Sequence, residues 1–385
     1  VPTTTSPSRP SPRAQHEAQV LDVLRVRGSA SRAQLAVATE LSRATISEIT
    51  GDLRRAGLIV RSKGAGSSRR AGRIPELLTL NPDFGVIVGV EFSHTRVTVI
   101  ATDATHRIIG SQTRDHDREE PWPQRLATAI RFIDALVPSH APLIAIGFGV
   151  PGAIAGRADV LAGVARQFID RYSVPVRSEN NARLAGLAEF SWGAGQDVND
   201  LIYVRLSEGV GGLLILDDEP RLGTTGAAGE FGHVCLDPNG PVCRCTNRGC
   251  LEAYVGLRTV FSRAGAESVG ALRDALDRDE PRARAVVADA GARIGLVLAN
   301  ACSVLDVSSV VLGGPFIQVG DHLLRTVRQS IMRHAHGGGA DGLRIRLAEL
   351  GNLDGALGGV ALVLRDHTIP LAIPATKRSE EARTA

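Results

Sequence analysis

Four potential metal donors crowd into eighteen residues: His233, Cys243, Cys245 and Cys250, spaced His-x9-Cys-x-Cys-x4-Cys. One imidazole and three thiolates make a closed tetrahedral set, the structural zinc arrangement, with no open position for water. The segment between them is rich in Gly, Pro and Asn, and four deprotonated donors would fix it in one shape. The expected cofactor is therefore Zn2+ in a structural role. Buried free thiols beside an unrelated histidine are the alternative. Cys235 and Cys302 fall outside the spacing and read as core residues.

At 385 residues the chain is long enough for two or three domains. Hydrophobic residues at 43% and charged residues at 22% exclude wholesale disorder. No uninterrupted apolar run approaches the ~18–20 residues that span a bilayer; the longest candidate, Ile294 to Leu305, is broken by Asn300 and closed by Asp306. Val1 to Pro12 is Pro/Ser/Thr-rich without the apolar centre of a signal peptide. Clustered cysteines do not resemble the disulfide framework of a secreted chain. These features predict a soluble, cytoplasmic protein with no membrane partner.

Charge is unevenly distributed. Val1 to Pro82 holds 13 Lys/Arg against 6 Asp/Glu, whereas the remainder holds 31 against 35. A basic head on a mildly acidic body suggests a polyanion partner. Residues 1–12 read as a disordered tail. Ala18 to Leu24 gives a short amphipathic helix ending near Gly28, and Ser31 caps a second helix from Arg32 to Ala38. After the turn Thr39-Glu40-Leu41, Ser42 caps a third helix, Arg43 to Ala56, with Ile46, Ile49 and Leu53 on one face. Gly57 to Arg61 and Pro75 to Leu80 then read as two strands around a basic Gly/Ser tip. Residues 13–82 are thus expected to form a winged helix-turn-helix DNA-binding domain. Candidate contacts to double-stranded DNA are Ser31, Arg32, Ser42, Arg43, Ala44, Thr45 and Ser47 near the helix starts, with Lys63, Arg69, Arg70 and Arg73 in the wing.

From Phe84 the pattern changes. Val86–Val90, Arg96–Ile100 and Arg107–Gly110 read as a β-meander, followed by a helix from Trp122 to Val137 and a buried strand from Leu143 to Val150. A similar grammar recurs in the hairpin Leu201–Leu206 and Gly211–Leu216, a long helical region, and the strand Ser309–Gly314. Two hairpin-led α/β halves suggest two lobes around a cleft. Near the metal loop, Glu230 and Glu252 offer carboxylates to vicinal hydroxyls, and Asn180 and Asn181 offer amides that both donate and accept.

These segments together carry a resemblance. Leu41 to Ser47, Gly72-Arg73-Ile74-Pro75, Gly226 to His233 and Cys243 to Glu252 resemble the ROK family (repressors, open reading frames, kinases), in particular its regulators related to Mlc, NagC and the xylose repressor. The resemblance spans about Ala18 to Thr368. It implies that residues 83–385 form an actin-like two-lobe α/β body with a zinc loop at 233–250. It also implies a sugar pocket using Asn180, Glu230, His233 and Glu252, with Gly152 nearby and Asn181 beside them; His233 would serve both zinc and sugar. Family regulators usually form dimers or tetramers and leave their operator when a sugar or protein signal binds.

Departures from the family pattern argue against an enzyme. Family kinases carry Asn-Asp where this chain has Asn180-Asn181, and an amide cannot take the proton of a sugar hydroxyl; losing a general base typically costs ~10²–10⁴ in rate. Glu91-Phe92-Ser93-His94-Thr95 replaces the glycines of the first phosphate turn, and Glu208 brings negative charge to the second. Thr246 stands for a usual Gly, and Arg183 is either a contact for a charged ligand or a solvent-facing residue. The expectation is a sugar-responsive repressor. The alternatives are a sugar kinase with a DNA-binding head and a regulator with a vestigial pocket controlled by a partner protein.

Overall fold

The computed structural model describes residues 11–61, 76–152, 158–336 and 342–366. Lys63, Arg69, Arg70, Arg73, the Gly72–Pro75 segment and the tail 1–10 lie outside them. Helix α1 (Pro12–Arg27) starts six residues before the expected Ala18. Ser11 Oγ accepts from the Ala14 amide at 3.2 Å, Pro12 suits the first helical position, and Arg13 ties that turn to Glu17 and Glu48. Gly28, at φ 72°, ends the helix.

A two-residue strand that sequence reading missed, β1 (Ala30–Ser31), leads into α2 (Arg32–Thr39). Ser31 and Gln34 form a reciprocal capping box there. Helix α3 (Arg43–Arg55) is capped by Ser42 and buries Ile46, Ile49, Thr50 and Leu53. Strands β2 (Ile59–Arg61) and β3 (Leu77–Leu80) complete an antiparallel sheet of order β1-β3-β2. This is a winged helix-turn-helix.

The body consists of two lobes of one design. The first holds β4 (Val86–Phe92), β5 (Arg96–Asp103), β6 (Ile108–Asp115), α4 (Trp122–Leu136), β7 (Leu143–Val150), α5 (Ala158–Tyr172) and β8 (Val176–Asn180). Its sheet runs β6-β5-β4-β7-β8, an antiparallel meander extended by two parallel strands. Helix α6 (Asn181–Trp192) leads to the second lobe. That lobe holds β9 (Leu201–Leu206), β10 (Val210–Leu216), β11 (Glu219–Arg221), α7 (Leu251–Val255), α8 (Leu257–Ala264), α9 (Val269–Asp277), α10 (Pro281–Leu305), β12 (Ser309–Gly313), α11 (Asp321–His334) and β13 (Arg344–Leu347). Its sheet runs β11-β10-β9-β12-β13 with the same alternation of pairing.

Helix α10 is long and apolar on average, but Arg282, Arg284, Asp289 and Arg293 interrupt it. Val287, Ala290, Ile294, Val297 and Leu298 fill the core of the second lobe. The last helix among the described residues, α12 (Asp354–Leu364), returns to the first sheet and packs against α6. Its backbone lies so close that a Cβ on Gly89 or Gly147 would come within 2 Å of the Ala356 or Gly359 carbonyl. The head is not separate from this assembly. Leu24, Leu58, Ile59 and Leu80 share one apolar cluster with Ile87, Ile100 and Leu357.

Candidate metal and carbohydrate site

The four expected metal donors converge. Their ligand atoms all lie within 4.8 Å of one another. The Cys245 and Cys250 sulfurs are 3.7 Å apart, as are Cys243 Sγ and His233 Nδ1. A tetrahedral site with ~2.3 Å Zn–S bonds sets its thiolates ~3.8 Å apart, so the donor set fits the ion. Burial, then the neighbouring Cys245 and Cys243, push the Cys250 thiol up to about 12; three crowded thiolates call for a cation among them. Thr246 holds φ 75°, the left-handed conformation that explains a glycine at this turn. Cys302 is buried as expected. Cys235 is not a core residue: it forms an isolated antiparallel bridge with Cys250 and is exposed, with its thiol donating to the Arg248 carbonyl at 3.4 Å.

Four of the six candidate sugar contacts, Asn180, Asn181, Glu230 and His233, lie along one stretch joined through Arg183. Asn180 ends β8 and caps α6, its Oδ1 accepting from the Ala182 and Arg183 amides at 2.7 and 3.3 Å. Asn181 is buried; its Nδ2 donates to the Phe92 carbonyl at 2.8 Å, while Oδ1 meets no donor among the described residues. Arg183 does not face solvent. Its guanidinium is buried, donates to the Gly226 and Ala228 carbonyls and to Glu179, and lies 4.0 Å from Glu230. It thereby anchors the loop that carries Glu230 and His233 to the start of α6. A fifth candidate, Gly152, follows Val150, which pairs with Asn180 across β7 and β8.

Glu252 differs from Glu230. Its carboxylate already accepts from the Val210 amide at 2.8 Å and from Arg244 Nη2 and Nε at 2.8 and 2.5 Å. Arg244 sits between two metal donors, so the metal loop itself covers this acid. On that side lies a cavity of about 250 Å³ lined by Glu208, Cys243, Arg244, Glu252, Arg258 and Thr259.

Two charge networks between the lobes escaped sequence reading. Arg205 of β9 donates to Glu91 of β4 at 3.0 Å and lies 3.3 Å from Asp354 of α12. Burial pushes the Glu91 carboxyl up against the pull of Arg205. Glu208, in the β9–β10 turn, pairs with Arg118 of the opposite lobe. The available signal was a charge inside an apolar strand run, as in Val88-Gly89-Val90-Glu91-Phe92 and Tyr203-Val204-Arg205-Leu206.

The far end of α6 reaches the β5–β6 turn of the first lobe, which borders the head. Trp192 meets the His106 ring edge-on at 5.9 Å between centroids. Burial, then the nearby guanidinium of Arg25 in α1, holds the His106 imidazole well below its ordinary value, and burial lowers Arg25 to about 10. The expected DNA contacts Ser42, Arg43, Ala44 and Ser47 are exposed at the start of α3, with Thr45 half-buried; Ser31 is buried as the α2 cap.

Comparison with known proteins agrees with this architecture. The xylose repressor of Caldicellulosiruptor bescii is 26% identical over 372 residues, covering 87% of this chain and 92% of that protein. The crystal structure of a ROK family transcriptional regulator, a homologue of the E. coli Mlc protein, superposes with a TM-score of 0.77 at 20% identity, covering 92% and 97% of the two chains. A ROK family glucokinase from Streptomyces griseus, solved with glucose and AMPPNP, has a TM-score of 0.62 at 25% identity and covers 72% of this chain and 99% of its own. The ROK family model matches residues 87–366, and this chain belongs to the ROK family.

Proposed function

We propose that the chain is a carbohydrate-responsive DNA-binding transcriptional repressor, acting in the cytoplasm as a dimer or tetramer on a double-stranded operator. Residues 13–82 form its DNA-binding domain and residues 83–385 its sensing domain. The observation that carries the reading is α6: the candidate sugar residues Asn180 and Asn181 stand at its start, and at its end Trp192 packs on His106, which neighbours Arg25 of the head. A sugar held by Asn180, Asn181, Glu230 and His233 would close the lobes around that start. The shift would reach α1 through Trp192, His106 and Arg25. DNA affinity changes only as far as the sugar distinguishes the two states.

Zinc is held by His233, Cys243, Cys245 and Cys250 and supplies rigidity rather than chemistry. No phosphoryl transfer is assigned to the chain. Asn181 stands where a base is required and is engaged with the Phe92 carbonyl, and Glu208 with its Arg118 partner sets a carboxylate beside the second phosphate turn. Coverage of Glu252 by Arg244 favours a second reading, in which a partner protein rather than a sugar supplies the signal.

Fluorescence anisotropy on DNA from upstream of the chain's own coding region, at fixed salt and with a panel of monosaccharides, separates these readings. Release by one sugar supports the first. Specific binding indifferent to every sugar supports the second, and ATP turnover with any hexose contradicts both.

A further inference from the structure

Glu76, the first described residue after the wing, gathers three guanidinium groups. Its carboxylate accepts from Arg32 Nη1 at 2.8 Å, pairs with Arg61 Nε, and lies 3.8 Å from Arg54 Nη1. The three arginines come from three elements: the first residue of α2, the last turn of α3 and the end of β2. Arg32 is fixed a second time, its Nε donating to Thr50 Oγ1 at 3.0 Å. The hydrogen bond from Arg32, then the charge of Arg61, holds Glu76 below the usual carboxylate range.

Stability does not account for this cluster. Exposed ion pairs contribute little, and the arginine side chains are 33, 45 and 71% exposed. Three cations on one anion leave a concentrated positive charge. Each guanidinium carries five N–H donors, and Glu76 with Thr50 uses only a few of them. A phosphodiester accepts the same fork that a carboxylate accepts.

We propose that Arg32, Arg54 and Arg61 form a clamp for a DNA backbone phosphate at the base of the wing, with Glu76 as its positioning residue. The inference rests on the DNA-binding reading above. Glu76 orients the forks before DNA arrives and offsets part of their charge, which restrains backbone binding on any sequence.

The test is anisotropy across a salt series, on a labelled duplex from upstream of the coding region and on a scrambled duplex of the same composition. The double variant Arg54→Gln/Arg61→Gln should flatten the log K against log salt slope by about 1–2, at ~0.9 per phosphate, equally on both duplexes. Glu76→Gln should strengthen binding to both duplexes by a similar several-fold factor, leaving the ratio between them unchanged. An unchanged slope in the double variant, with binding intact, overturns the clamp. So does a Glu76→Gln variant that weakens both duplexes equally and melts at a lower temperature, the mark of a merely structural role. A full-length wild-type protein that binds neither duplex overturns the DNA-binding reading itself and the clamp with it.

Discussion

Helices α3 and α6 are of similar length, and each starts with a polar side chain capping its first amides: Ser42 for α3, Asn180 for α6. Their surroundings are opposite. Helix α3 buries one face and leaves Arg43, Ala44, Ser47 and Glu48 in solvent. Helix α6 is buried from Asn181 to Phe190 with only Ala182 partly open, pressed between α12 and the second sheet. A helix with a free face suits contact with a large external partner. A helix enclosed on all sides cannot shift without moving what touches its ends, so it suits transmission. Placing one in the head and the other between the lobes divides recognition from response.

Arg183→Met should have the largest effect on this contrast. It removes a buried cation from Glu179, Gly226 and Ala228, and breaking a buried pair costs about 3–5 kcal/mol. Urea unfolding should show that loss, and the freed loop should no longer hold Glu230. Gly358→Ala comes next: its Cβ would fall 1.9 Å from the Leu184 carbonyl, where α12 meets α6. Overpacking of this kind costs about 1–3 kcal/mol, visible as a lower melting temperature of the body.

On the head, Ser42→Ala should cost only about 1 kcal/mol through the lost cap, measured by hydrogen exchange of the α3 amides. Arg43→Ala should change stability by less than about 0.5 kcal/mol while weakening DNA binding in anisotropy. If Arg43→Ala destabilised the fold as much as Arg183→Met, the division between the two helices would fail.

The junction of head and body adds a pH dependence. His106 has a folded pKa below its ordinary value, so the unfolded chain binds the extra proton first as pH falls. Stability is complete above about pH 6.5 and declines as pH drops from there towards the folded value. Urea midpoints at a series of pH values should show the decline, and His106→Gln should flatten it.

Much of the architecture was legible in the sequence. Ser31 and Ser42 marked two helix starts, the apolar runs 143–150 and 309–313 marked buried strands, and the His233 to Cys250 spacing marked the metal loop. These signals are local: a cap, a period, a spacing. The start of α1 escaped because its early turns are held by Arg13 reaching Glu48, 35 residues away. Long-range pairing also hid the roles of Arg183, Arg205 and Glu76, since sequence shows a charge but not its partner. The polar residues of the candidate pocket were identifiable by type, whereas the occupation of Glu252 by Arg244 depends on how the metal loop folds back.

The central claim is that the pocket at one end of α6 is coupled to the head at the other. Calorimetric titration of the effective monosaccharide into the full chain, alone and saturated with operator DNA, measures that coupling directly, because each ligand must shift the other by the same factor. The wild type should bind sugar at least tenfold more weakly when DNA is bound. In Trp192→Ala, sugar and DNA should each still bind and the ratio of sugar affinities without and with DNA should shrink towards one. Equal sugar affinity with and without DNA in the wild type, or full coupling in Trp192→Ala, would contradict the account.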